Sequence, residues 1–152
     1  MRLGLVIHTV LVEDHDRALA MARSMAAGFY EYSPTLFGAP GLSWSGPAPE
    51  TLKRQHHQVW PDFHHAADLE ASGRVVDFLP SSAAEAFSLH GGPVEVAEQL
   101  IGVLRATPAE LDYVVLHPIP DPVPPDDPER GYMARMAREV LPRVRRALGG
   151  SR

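Results

Sequence analysis

The sequence predicts an α/β protein built from parallel strands and helical crossovers, in about three βα units with a helical insertion. Three observations predict it. Three short runs, at 3–11, 86–90 and 111–117, are rich in β-branched and other apolar residues, as strands buried on both faces of a parallel sheet are. Each run is followed, at some distance, by apolar residues at helical spacing. Ten of the 15 prolines fall in two clusters, Pro34–Pro49 (with Gly38, Gly41 and Gly46) and Pro118–Pro128, which read as long surface connections.

Taken in order, Leu3 to Leu11 is nearly continuous in apolar residues, interrupted by His8 and Thr9. Glu13, Asp14 and Asp16 then supply negative charge where a helix begins. Ala18, Ala22, Met25, Ala26 and Phe29 make the first apolar stripe. Beyond the first proline cluster, Pro49 to Leu52 can open a short helix that Pro61-Asp62 interrupts, and a further helix through Ala66, Ala67 and Leu69 is expected to stop at Gly73. The stretch 33–85 therefore reads as a proline-rich loop and helical insertion within a single domain over 1–152. Ala86 to His90 reads as the second strand, ending at Gly91-Gly92. Pro93 and Glu95 then suit the first turn of a helix with Ala97, Leu100, Ile101 and Leu104 on its buried side. Leu111 to His117 is the third strand. The last helix carries Met133, Met136, Val140, Val144 and Leu148 on one side, bends at Pro142 and stops at Gly149-Gly150.

Composition narrows the function classes. With 45% hydrophobic and 22% charged residues, the chain can bury a core. A formal net charge of −5 gives no basic field for nucleic acid or anionic lipid. No stretch approaches the roughly 18 apolar residues of a membrane span, and the amino terminus lacks the features of a signal peptide. The absence of cysteine excludes disulfides and thiolate chemistry and fits a cytoplasmic protein. Neither a nucleophile elbow nor a phosphate loop of the Walker type is present.

His90 to Leu100, reading His-Gly-Gly-Pro-Val-Glu-Val-Ala-Glu-Gln-Leu, resembles the Gly-(Thr/Ser)-Pro-Glu-Glu-Val-Ala-Glu-Gln-Leu motif of luciferase-like flavin-dependent oxidoreductases, with Gly92 at the usual Thr or Ser position. Tyr113 to Leu116 resembles the eighth barrel strand of that family, Glu139-Val140-Leu141-Pro142 its final helix, and Leu3 to Val12 its sixth strand. The resemblance implies a partial (β/α)8 TIM barrel, the carboxy-terminal part of a larger one. It implies oxidoreduction or monooxygenation of a small organic substrate with reduced FMN or a deazaflavin coenzyme. It also implies an isolated chain with little turnover, which self-associates or meets a complementing amino-terminal chain. Two other readings stand beside it: a non-catalytic partner-binding module, and a His-rich metal-binding domain.

His8 is the candidate catalytic residue. It shares a strand face with Val6 and Val10, and functional groups of barrel strands lie toward their carboxyl ends. One branch of the family carries Arg-X-His on this strand, and here Val6 stands at the arginine position. His90, Gly91 and Gly92 are the candidate cofactor-binding residues, because glycines let backbone amides approach a ligand. His117 is a further strand-end candidate. His56, His57, His64 and His65 suggest metal by residue type, but adjacent histidines on a helix diverge by about 100° and Pro61 separates the pairs, so no metal site is assigned.

Overall fold

A computed structural model describes residues 3–107, 111–119 and 131–149. They divide into two compact units, one drawn from 1–14 and 89–152, the other 15–88.

The first unit is built on a three-stranded parallel sheet. Its strands are β1 (Gly4–Leu11), β2 (Ser88–Gly91) and β3 (Tyr113–Pro118). The near-continuous apolar run forms the central strand, and the order is β2-β1-β3. Register along β1 and β3 pairs Gly4 with Tyr113, Val6 with Val115 and His8 with His117. The pairing extends past both ends, where the Asp112 amide donates to Leu3 O (2.9 Å) and the Ile119 amide to Thr9 O (2.9 Å).

One face of the sheet carries Ile7, Leu11, Leu89 and Leu116. They pack with Val96, Ala97 and Leu100 of α6 (Pro93–Ala106). Met136, Val140 and Val144 close the same core. These three come from a last helical stretch in three parts: α7 (Tyr132–Arg135), a π-helical segment (Met136–Val140) and α8 (Leu141–Ala147). Pro142 has no amide to donate and its ring crowds the carbonyl four residues back, so the chain widens ahead of it. The expected stripe is cut short at both ends, since Met133 and Leu148 are exposed.

The second unit is helical and takes in more than the expected 33–85. Its axis is α1 (His15–Tyr32), against which α2 (Pro34–Gly38), α4 (Leu69–Val75) and α5 (Ser81–Phe87) pack, with α3 (Pro49–Gln55) alongside. Alanine and glycine along α1 permit close approach, and Ala18, Ala22, Ala26, Ala27 and Gly28 are all buried. Phe37, Phe63, Val59, Val76 and Leu79 fill the core, with Trp44 stacked on Tyr30 at 4.4 Å.

Four expectations need correction here. The proline-rich stretch 34–49 is more than a surface connection: Pro34 opens α2, and Trp44 turns into the core while its indole donates to Pro47 O (2.8 Å). Gly73 does not stop a helix, since α4 starts at its Asp68 cap and runs through it to Val75. Ala86 and Phe87 end α5, and the second strand is Ser88–Gly91. The strand order also departs from a barrel, in which consecutive strands lie side by side; here β1 separates β2 from β3, the arrangement of an open sheet in which strand order reverses. The second proline cluster lies, after Pro118 and Ile119, outside the described residues. Among the described residues no helix is long and apolar enough to cross a membrane.

Candidate functional site

Side chains alternate along a strand, so the residues between those of the sheet core take the opposite face. Val6 and His8 do so on β1, and Tyr113, Val115 and His117 on β3. Register sets them in rows. The Tyr113 ring lies across Gly4, where an added Cβ would overlap it. Val6 stands beside Val115, and His8 beside His117, with ring centroids 5.4 Å apart and planes at 83°. Val6 is 61% exposed, Tyr113 51% and Val115 43%, so this part of the sheet presents a flat apolar surface ending in two imidazoles.

His8 thus lies on the sheet face opposite the core that α6 covers, beside His117. The Val12 amide donates to Gly91 O (3.0 Å). That bond sets Gly91 level with the end of β1, about three residues and roughly 10 Å past His8. His90 is buried, and its backbone is held by one side chain: its amide donates to Gln99 Oε1 (3.0 Å) and its carbonyl accepts from Gln99 Nε2 (2.8 Å).

Gly91 has φ +118°, a conformation that L side chains rarely adopt, which is why glycine stands there. The Gly92 amide donates to Glu95 Oε2 (2.8 Å), closing the first turn of α6 as a capping-box glutamate does. An added Cβ on Gly92 would come within 2.8 Å of Glu13 Oε2, and Glu13 is paired with Arg135. Two carboxylates therefore already answer the positive end of α6. A phosphate brought to this turn would have to displace the Glu95 carboxylate. Behind the sheet core, burial pushes the Tyr132 hydroxyl above its ordinary value of 10.0, and that hydroxyl donates to Leu116 O (3.2 Å).

The other four candidate histidines lie in the helical unit, and they do not share a helix. His56 follows α3, His57 opens a short 3-10 turn, and His64 and His65 sit in a turn after Pro61. Phe63, next to them in that turn, is fully buried. Asp62, which sequence reasoning did not single out, is also buried and meets both histidines of its turn. Burial pushes the Asp62 carboxyl up, but bonds from the His65 ring, the Tyr32 hydroxyl and the His65 amide outweigh it and hold the group below its ordinary value. Burial likewise holds the His64 imidazole below its ordinary 6.5, against the pull of Asp62. The bond to Asp62 raises the Tyr32 hydroxyl. The signal that could have found Asp62 is the Pro-Asp pair ahead of two histidines, since an aspartate there accepts from the amides of the turn it opens.

No family model matches the sequence, and comparison with the curated proteins and with the solved structures found no match.

Proposed function

We propose that the chain is part of an oxidoreductase that binds a flavin-type coenzyme, FMN or a deazaflavin, with a small organic substrate beside the carboxyl ends of β1 and β3. One observation carries this reading. The order β2-β1-β3 reverses at β1, and open α/β sheets bind ligands outside the strand ends where the order reverses. There the register sets His8 and His117 side by side. The likeness of His90–Leu100 to luciferase-like enzymes supports the coenzyme class; the barrel that the likeness implied is not retained, because consecutive strands are not neighbours.

The residues fit part of such a coenzyme. Val6 and Val115 offer a flat apolar surface suited to a planar ring, with two imidazoles at its end to donate or accept a hydrogen bond. The Gly91–Gly92 turn does not suit the phosphate, since Glu95 holds the Gly92 amide. The coenzyme would supply the redox step, and this chain orientation, exclusion of water and polar contacts from His8 and His117.

Titrating the chain with FMN and with a deazaflavin, read by quenching of flavin fluorescence, tests the reading. Saturable binding is expected for one of them, weakened about tenfold when His8→Ala or His117→Ala removes one charge-free hydrogen bond of about 1.4 kcal/mol. Absence of saturable binding, or binding indifferent to both substitutions, overturns it.

The exposed row of Val6, Tyr113 and Val115 supports a second element of the proposal, that another copy or a complementing chain covers this face. Apolar area removed from water contributes about 25 cal/mol per Å². Sedimentation of the purified chain is expected to show concentration-dependent association, abolished by Val6→Lys with Val115→Lys. A monomer at all concentrations, with flavin turnover intact, would show that the site is complete in one chain.

A further inference from the structure

We propose that Asp62, His64 and His65 bind a divalent cation of the Zn2+ type, a site separate from the flavin reading and independent of it. The turn itself assembles the donors. Asp62 Oδ1 accepts from the amides of His64 (3.2 Å) and His65 (2.9 Å), and this folds both rings back over the carboxylate. His64 Nδ1 then lies 3.1 Å from Asp62 Oδ1, and His65 Nδ1 lies 2.9 Å from Oδ2. One ligand atom from each residue falls within 4.8 Å of the other two. Bonds of about 2.0–2.1 Å in a tetrahedral site set neighbouring ligand atoms about 3.3 Å apart, so these atoms need little movement to close on an ion. Two imidazoles and one carboxylate form a donor set that Zn2+ and similar borderline cations take.

The condition of His64 points the same way. Its Nδ1 is buried and, although close to Asp62, is out of line for a hydrogen bond. A buried polar atom without a partner is costly, and a cation between this nitrogen and the carboxylate would satisfy both. The ring cannot easily swing away: it lies against Gly28, where an added Cβ would overlap it, and edge-on to Tyr32 at 5.3 Å. Tyr32 in turn donates its hydroxyl to Asp62 Oδ2 (2.9 Å), orienting the carboxylate as outer groups orient metal ligands. His65 is 62% exposed in its side chain, so solvent can reach the remaining coordination positions, as at zinc sites that keep an open position.

A structural reading competes, in which Asp62 only caps its turn, and the test separates the two. Zn2+ is titrated into the full chain by calorimetry, and Co2+ is followed by its visible absorption. One equivalent is expected to bind. His65→Ala, at an exposed position where circular dichroism can verify the fold, should weaken binding at least about tenfold, and Tyr32→Phe about tenfold. His56→Ala with His57→Ala should leave it unchanged. Lack of saturable one-to-one binding, equal affinity in His65→Ala, or loss on removing His56 and His57 instead, overturns the proposal.

Discussion

Phe37→Ala is expected to remove about 3–5 kcal/mol of stability, read as a lower urea midpoint. The ring is 1% exposed and touches three others: Phe87 is stacked on it at 5.7 Å, while Tyr30 (5.2 Å) and Trp44 (6.5 Å) meet it edge-on. Truncation would strip each of these of a contact surface and leave a cavity that the surrounding helices cannot fill without moving. Against the roughly 5–15 kcal/mol typical of a whole domain, such a loss is large enough to populate the unfolded chain. Leu36, next to it but half exposed, supplies the control, since Leu36→Ala should change the midpoint little. An equal effect at both positions would mean that the aromatic cluster does not hold α2 in place.

Gly73→Ala separates two physical effects of opposite sign. Inside a helix, alanine is favoured over glycine by about 1 kcal/mol, so local propensity alone predicts a gain. Gly73 is buried where α4 crosses α1, and a Cβ there would overlap the backbone carbonyl of Ala20. A backbone atom cannot step aside as a flexible side chain can. Overpacking of this kind costs about 3 kcal/mol, and it should also loosen the crossing that Arg17 and Glu70 bridge at 3.1 Å. Urea unfolding is expected to show a net loss of about 2 kcal/mol. A gain would show that the two helices stand farther apart than described.

The strands were legible in the sequence because runs of β-branched and other apolar residues mark them, and β1 and β3 fall within a residue or two of the expected bounds. Burial on both faces was expected, but one face of β1 and β3 carries the exposed Val6, Tyr113 and Val115. Pro93 and Glu95 likewise marked the start of α6. Strand order left no such trace. An apolar run reports a strand and is silent about which strands flank it, so the meeting of His8 with His117 could not be read before the register was known. The boundary between α5 and β2 was missed for a related reason: Ala83 to Phe87 is too short for helical and strand periods to differ. In the helical unit, Trp44 sits amid prolines and glycines whose composition signals an exposed loop, while its packing depends on Tyr30, distant in sequence. His64 and His65 were set on a helix, where neighbouring side chains diverge. The turn that begins at Asp62 brings them together.

The hold that Gln99 keeps on His90 has a consequence for how molecules of this protein meet one another. Unsatisfied amides and carbonyls along the margin of a sheet are an invitation to any extended chain that drifts by, and proteins guard them against misassembly. A carboxamide presents a donor and an acceptor side by side, the same pair that an incoming strand would offer. Bonded to both backbone groups of His90, it occupies the midpoint of a strand only four residues long, so what is left of that margin is too short to recruit a stranger.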